Sequence, residues 1–380
     1  MGYGNSMRII IIGTAYPMRG GIANFVSLLY KKLLQRGHEV KIFSFKRQYP
    51  SIFFPGKTQQ DLSEEVEPIP CEPILDSIGP LSWLRTFLKV YRHQPDLVIF
   101  KYWMPFFAPC FATVSFLIRL FTASKILFIC HNIVPHESRP EDKLLTRIGL
   151  WNAHYFIVMS KIVKQALLYF KPNANFREAP HPVYEHFSDN YTRNDARKKL
   201  DLKKQDNVIL FFGYVRQYKG VHILLQAMPS VLKKMDVKLV IAGEFYENKK
   251  KYIEQIKKLG IEKSVLIFDE YIPNEQVGIY YSAADVVVLP YITATQSGII
   301  QIAYNYNKPV ITTNVGGLPE VVDEGKTGFI VPAENPQVLA EAIIKFFYIK
   351  NREQFFENVK AYKQQFSWDR FVSEIESFFN

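Results

Sequence analysis

The chain has 380 residues, 48% of them hydrophobic, and a formal net charge of +11. This length and globular composition suggest two domains with sizeable cores. Residues 1–190 carry 22 Lys/Arg against 14 Asp/Glu and residues 191–380 carry 25 against 22, so the first half suggests an anionic partner: a phosphate-bearing substrate, an acidic membrane surface or nucleic acid. No nucleic-acid-binding signature is present, which places nucleic acid last. The three cysteines, Cys71, Cys110 and Cys130, show no short pairing pattern. They fit a reducing, cytoplasmic compartment and argue against a zinc site or a disulfide framework. Met7-Arg8 followed by IIIIG reads as a first strand and not as a signal peptide, and residues 1–6 read as a dispensable leader.

Residues 8–12 (RIIII) are a continuous apolar run, as in a strand buried on both faces of a parallel sheet. A loop with Gly20-Gly21 follows, then a helix from about Ala23 to Arg36 and a strand from Val40 to Phe45. This is a βαβ unit opening with a glycine-bearing loop. Residues 48–80 read as an irregular surface excursion. A helix over Leu81 to Arg92 leads into the strand LVIFKYW. The stretch Tyr102 to Ile118 lacks charge and is rich in Phe. It is short for a membrane span and holds Pro105 and Pro109, so it reads as a buried or membrane-facing helix whose basic flanks allow peripheral attachment. Next come a strand Lys125 to Cys130 ending in His131-Asn132, a helix Lys143 to Trp151, a strand Tyr155 to Met159 and a helix from Ser160 to Phe170. Lys171 to Asn194 lacks clear periodicity and reads as a crossing between domains.

The alternation then restarts. Strands are expected at 208–212, 238–242, 265–268, 285–290, 309–312 and 325–331, separated by helices, with further helices over 335–379. Two rounds of alternation imply two doubly wound α/β domains, whose ligands bind at the carboxyl ends of the strands. The expected division is 7–185, 195–355, and a C-terminal helical segment 356–380 crossing back to the first domain.

The most informative stretch is FFGYVRQYKG, residues 211–220. A strand ends at Gly213, Arg216 and Lys219 follow in a short loop, and a helix begins near Val221. Two cations just past a strand end are placed to grip a diphosphate, and nearby helix-terminal N–H groups add to that field. Four other features sit at strand ends: Gly20-Gly21, His131-Asn132, Gly243-Glu244, and Val315-Gly316-Gly317-Leu318-Pro319-Glu320.

Taken together, in this order, these motifs resemble the retaining GT-B glycosyltransferases of family four, over nearly the whole of residues 7–375. The closest likeness is to bacterial enzymes that build envelope polysaccharides. The resemblance implies two Rossmann-like domains facing a cleft and a nucleoside-diphosphate sugar donor, UDP- or GDP-linked. It also implies a glycan or lipid-linked acceptor, with no tightly bound cofactor and no metal. Arg216 and Lys219 would contact the donor phosphates, with Gly213 at the strand end beside them. Gly20 and Gly21 would approach the same diphosphate, although a tight turn also uses Gly-Gly. His131 would contact the transferred sugar. Glu137, in HNIVPHE, would meet a sugar or acceptor hydroxyl, or is a surface carboxylate; His136 is read as structural. Gly316 and Gly317 would keep the backbone open to a ligand, and Glu320 would accept from ribose hydroxyls or buttress the loop. Glu244 is either a site residue or a solvated helix cap.

One departure stands out. The family usually carries two glutamates eight apart after the strand ending here at Pro290, and this chain has no Glu between Glu275 and Glu320. The segment TATQSG leaves Thr295, Gln296, Ser297 and Gly298 for donor contacts, with backbone N–H groups at a helix start. Two rival readings stay open: an epimerase or hydrolase on the same two-domain fold, and, motivated by the missing glutamates, a catalytically silent sugar-nucleotide-binding partner.

Overall fold

The computed structural model describes residues 6–50, 58–61, 63, 69–134, 140–187 and 190–379. In chain order the elements are β1 (Arg8–Ile12), α1 (Gly21–Gln35), β2 (Glu39–Arg47), β3 (Glu72–Asp76), α2 (Pro80–His93), β4 (Leu97–Tyr102), α3 (Ala108–Phe121), β5 (Lys125–Cys130), α4 (Pro140–Leu150), β6 (Tyr155–Val158), α5 (Lys161–Phe170) and β7 (Phe176–Glu178). There follow α6 (Arg193–Lys199), β8 (Val208–Phe212), α7 (Val221–Leu232), β9 (Lys238–Ala242), α8 (Lys249–Leu259), β10 (Val265–Phe268), α9 (Asn274–Ala283) and β11 (Val286–Leu289). The last are α10 (Gly298–Asn305), β12 (Val310–Thr313), β13 (Gly328–Val331), α11 (Pro336–Tyr348), α12 (Glu353–Tyr362) and α13 (Trp368–Glu376).

Two compact units result. Unit 1 takes the residues up to Pro182, apart from 63–66, and those from Phe366 onward; unit 2 takes 63–66 and Val183–Gln365. In unit 1 the strand order is β3-β2-β1-β4-β5-β6-β7, and in unit 2 it is β10-β9-β8-β11-β12-β13. Every pairing is parallel. The central strands are buried along their whole length, β4 and β8 at every residue, because helices cover both faces of a parallel sheet. The strand order reverses between β1 and β4 in unit 1 and between β8 and β11 in unit 2. Loops at such a switch point diverge and leave a crevice at the carboxyl edge. These are the loops that carry Gly13 to Gly21 and Gly213 to Gly220.

Unit 1 is closed by its last helix. Trp368 of α13 is fully buried, with its ring 5.0 Å from that of Phe25 in α1. Arg36 Nη2 donates to the Asp369 carbonyl at 2.9 Å, and His38 Nε2 lies 3.1 Å from Glu376 Oε1. α12 stays with unit 2.

Three elements depart from the sequence reading. β3 lies in the stretch expected to be irregular. It is an edge strand with only Leu75 buried, contains Pro73 and shifts register twice against β2, so it leaves no apolar run. β7 is three residues long. α6 (RNDARKK) has no amphipathic period; it is set by Thr192, whose Oγ1 accepts from Asp195 N at 3.2 Å. Among the described residues no helix is long and apolar enough to cross a membrane, and α3 turns Cys110, Phe111, Val114 and Ile118 into the core.

Candidate active site

In unit 2 the loops after β9, β8, β11 and β12 are neighbours at the carboxyl edge, in that order. Glycines join them. A Cβ at Gly243 (φ +142°), after β9, would lie 2.3 Å from the Gly213 carbonyl oxygen after β8. One at Gly220 (φ +69°) would lie 1.9 Å from the Pro290 carbonyl oxygen after β11. One at Gly316 (φ +54°), after β12, would lie 1.6 Å from the Ala294 carbonyl oxygen. The obstructing atoms are backbone, so each position admits only glycine. Hydrogen bonds tie the same loops: Gly213 N donates to Ala242 O at 2.9 Å, Val215 N to Glu244 O at 2.9 Å, Ile292 N to Tyr218 O at 2.7 Å, and Gly317 N to Thr295 O at 3.1 Å. Four loops thereby form one rim. By contrast Gly37, Gly260 and Gly325 have positive φ with nothing within 4 Å of a Cβ, and serve their turns alone.

The rim holds two cations. Arg216 precedes a 3₁₀ turn, Gln217–Lys219, fixed by Gln217 N donating to Glu247 Oε1. The Arg216 guanidinium carbon lies 5.1 Å from the Tyr246 ring centre, and Tyr246 stacks on Tyr214 at 4.5 Å. Lys219 is half-buried; its Nζ lies 5.4 Å from the Tyr291 ring centre. A Cβ on Gly213 would meet that Nζ at 3.2 Å and Ile299 Cδ1 at 3.3 Å, so the ammonium group sits on Gly213 beside the first turn of α10. Ser297 caps that helix, its hydroxyl accepting from Ile299 N at 3.3 Å. Gly298 begins it, close under the Tyr184 ring. Neither α7 nor α10 has an acidic residue in its first turn. Among the described residues neither Arg216 nor Lys219 has a carboxylate within 4 Å. Burial lowers the Lys219 pKa below the usual lysine range, Tyr218 works against that, and Arg216 adds to it. A rim whose two cations have no carboxylate within 4 Å among the described residues is suited to an anion, and a diphosphate spans two cations.

Unit 1 presents a second cluster at its own carboxyl edge. Gly20 (φ +103°) is the N-cap of α1, which has neither a side-chain cap nor an acidic first turn; Gly21 is its exposed first residue. His131, just past β5, is buried and its N–H donates to Tyr102 O at 2.9 Å. Its ring packs edge-on to Phe25 at 5.0 Å and lies 5.2 Å from that of His181. Lys101 of β4 is fully buried. Its Nζ lies 3.4 Å from the Phe25 ring centre and, among the described residues, has no hydrogen-bond acceptor. Burial drives the Lys101 pKa well below the usual lysine range, with Cys130 opposing. Burial, then Lys101 and His181, drives His131 well below the usual histidine range. His181 is pushed down to about 3 by burial and by Lys101, against the pull of its bond to the Pro182 carbonyl at 2.7 Å. Among the described residues no three His, Cys, Asp or Glu side chains gather as a metal site would require.

The structure therefore brings Gly213, Arg216, Lys219, Ser297 and Gly298 together in unit 2, with Thr295 bonded to Gly317 through the backbone. Gln296 is half-buried beside them, and Glu320 is exposed in a 3₁₀ turn, Leu318–Val321. Glu244 is buried at the end of β9, and α8 is capped by Asn248, which removes its reading as a solvated helix cap. Gly20, Gly21 and His131 belong to unit 1. His136 and Glu137 lie outside the described residues. Lys101 and His181 escape the sequence reading, although a lone charge inside the run LVIFKYW marks Lys101 as a residue the strand pattern does not explain.

Comparison with known proteins agrees with this architecture. Residues 192–362 match the family described as glycosyl transferases group 1, and residues 19–184 match glycosyltransferase family 4. A D-inositol 3-phosphate glycosyltransferase of Corynebacterium urealyticum is 31% identical over 191 residues, covering 48% of this chain and 44% of that protein. The chain thus spans less than half the length of that relative. An N-acetyl-alpha-D-glucosaminyl L-malate synthase of Bacillus anthracis is 22% identical over 98% of this chain and 97% of its own. Among solved structures, a glycosyltransferase from Rickettsia africae superposes with a TM-score of 0.75 at 21% identity, over 99% of this chain and 100% of that one. The Anabaena protein HepE, in complex with UDP and glucose, gives 0.73 at 19% identity, over 98% and 99%. With two parallel-sheet α/β units, each matching its own glycosyltransferase family, the chain belongs to the GT-B glycosyltransferase superfamily of group 1 and family 4.

Proposed function

We propose that the chain transfers a glycosyl group, with retention, from a UDP- or GDP-sugar to a glycan or lipid-linked acceptor in cell-envelope polysaccharide synthesis. The work is done at the cytoplasmic membrane face, with peripheral attachment. The observation that carries the reading is the pair Arg216 and Lys219 on the glycine-built rim, with no carboxylate within 4 Å of either among the described residues. In the transfer, the bond from the anomeric carbon to the β-phosphate oxygen breaks and its electron pair leaves with the nucleoside diphosphate. The acceptor oxygen bonds to the same face of that carbon, and its proton passes to the departing phosphate oxygen. Negative charge grows on the diphosphate as the bond breaks. Cations already fixed there stabilise the transition state more than the ground state, so no step needs a metal. In unit 1 the Gly20-Gly21 turn at the start of α1 offers N–H donors to an anion, and His131 is assigned to the transferred sugar. Thr295, Gln296, Ser297 and Gly298 replace the usual glutamates with hydroxyl, amide and backbone donors.

A thermal-shift screen of UDP-, GDP-, ADP- and dTDP-sugars identifies the donor, and turnover is then followed with and without acceptor. Arg216→Ala and Lys219→Ala each lower turnover by roughly tenfold or more, about 1.4 kcal/mol in barrier. Near-normal rates in both variants refute the diphosphate assignment. The missing glutamates favour a second reading, a silent sugar-nucleotide-binding partner. Binding without turnover under any acceptor supports it, whereas acceptor-independent conversion to a new sugar supports an epimerase.

A further inference from the structure

Large apolar side chains are exposed unequally in the two units. Among the described residues sixteen are exposed, and only Tyr348 is in unit 2. Ten lie on, or one residue past, three consecutive helices of unit 1. On α2, Leu81, Leu84, Leu88 and Tyr91 recur at helical spacing and are all exposed, Leu81 at 74%. On α3, Phe116, Leu120 and Phe121 are exposed; on and just past α4, so are Leu144, Ile148 and Trp151, the last at 69%. α2 packs against α3, and α3 against α4, so these ridges are neighbours. Phe121 of α3 lies 5.8 Å from Phe87 of α2, and Phe87 lies 6.0 Å from Tyr91. Arg119, in the last turn of α3, donates to the Asn152 carbonyl at 3.3 Å, which places the ends of α3 and α4 side by side near Trp151.

The charges on this face are mostly of one sign. α2 and α3 contain no acidic residue. Arg85, Arg92, Arg119 and Arg147 are exposed, and none has a carboxylate within 4 Å among the described residues. Lys89 is paired with Glu72; Glu141 and Asp142 lie in the first turn of α4. A face of leucine and phenylalanine edged by Tyr, Trp and unpaired arginine matches the boundary between acyl chains and anionic headgroups. It is a poor match for a second copy of itself, because a two-fold contact would set these arginines against each other.

We propose that the face formed by α2, α3 and the end of α4 docks unit 1 on an anionic phospholipid bilayer, its leucines and Trp151 at the acyl boundary and its arginines on the headgroup phosphates. The inference deepens the lipid-linked acceptor reading above and rests on it for the side of the membrane; it names the surface that brings the chain to such an acceptor.

The test is co-sedimentation of the full chain with phosphatidylglycerol-containing vesicles and with pure phosphatidylcholine vesicles. The expected result is at least tenfold stronger binding to the anionic vesicles, weakened by salt, and at least tenfold lost in Leu84→Glu/Leu120→Glu. The thermal response to the donor sugar stays unchanged in that variant, since neither residue belongs to the rim. Arg85→Glu/Arg92→Glu keeps the apolar ridge and loses the preference for anionic lipid. Failure of the wild-type chain to bind anionic vesicles, or equal binding by wild type and both variants, overturns the inference. A concentration-dependent dimer in sedimentation velocity, abolished by Leu84→Glu/Leu120→Glu and accompanied by no vesicle binding, overturns it in favour of a second copy. Arg216→Ala separates the two proposals: if transfer is misassigned, that variant keeps normal turnover while vesicle binding is untouched.

Discussion

Gly220 and Gly260 make a controlled pair. Both take a left-handed conformation, φ +69° and +66°, and both end a helical turn. At Gly260 a Cβ meets nothing within 4 Å, whereas at Gly220 it lies 1.9 Å from the Pro290 carbonyl oxygen. Gly260→Ala therefore suffers the left-handed strain of an L-residue alone, about 1 kcal/mol. Gly220→Ala suffers the same strain and must also open the loop by about 1.5 Å to reach ordinary contact distance. Overpacking of that kind costs about 1–3 kcal/mol, which brings the total to about 2–4 kcal/mol. The displaced loop is the one that positions Arg216 and Lys219. Urea unfolding of the two variants reads the stability difference from the shift in midpoint at constant slope, and a thermal-shift titration with the donor reads the site. Gly220→Ala loses both stability and donor response; Gly260→Ala loses only a little stability. Equal midpoints, or an intact donor response in Gly220→Ala, would refute the claim that these glycines weld the rim.

Asp285 is the polar anchor beneath β8. Its Oδ2 accepts from the fully buried Arg197 at 2.9 Å and from Val208 N at 2.8 Å, and its Oδ1 accepts from Arg193 at 2.7 Å. Asp285→Ala leaves the Arg197 charge buried without its partner and costs about 3–5 kcal/mol, while Arg193→Ala, at a half-exposed guanidinium, costs under about 1 kcal/mol; chemical denaturation distinguishes them. His131 and His181 are buried neutral, both with pKa values held below the ordinary histidine value. Below pH about 6.5 the unfolded chain takes up their protons and the folded chain does not, so stability is full above that pH and falls as pH drops toward the folded-state value, about 3 for His181. Each histidine contributes a slope of up to about 1.4 kcal/mol per pH unit in that window. Unfolding midpoints between pH 7 and 5 should therefore decline, and His181→Phe should flatten the decline; an unchanged slope in the variant counts against a neutral buried His181.

The features legible in the sequence are those written locally. Runs such as RIIII and VILFF announce central strands because burial on both faces needs no polar alternation. Glycines and cations at the strand ends announce the rim because the loop that holds Gly213, Arg216, Lys219 and Gly220 is one short stretch of chain. What stayed hidden depends on contacts distant in sequence. β3 and β7 are edges whose pairing, not their composition, makes them strands. The exposed face of α2 to α4 is invisible in the periodicity alone, since Leu84 and Leu88 look like core positions until the buried side is seen to be Thr86, Phe87 and Val90. His181 meets His131 and Phe25 only after β5, α1 and the residues past β7 have been brought to one edge of the sheet.

Lys101 and the TATQSG segment call for a different kind of argument. Folding alone favours replacing a fully buried amine that has no acceptor by an apolar side chain of the same length, because desolvating the amine returns no hydrogen bond. Its position at the carboxyl end of β4, on the switch-point side of unit 1, gives it a context that stability does not. The 293–298 loop makes the complementary case. There a carboxylate would have been cheap at a half-exposed position, yet the chain uses Thr, Gln and Ser, and fixes the backbone through Gly316 and Gly317 instead. A rim built this way places positive charge and N–H donors together, and among the described residues no carboxylate lies within 4 Å of Lys219. In unit 2 the two cations are therefore set by main-chain geometry, and two acidic groups serve the backbone, Asp285 at the Val208 amide beneath β8 and Glu247 at the Gln217 amide.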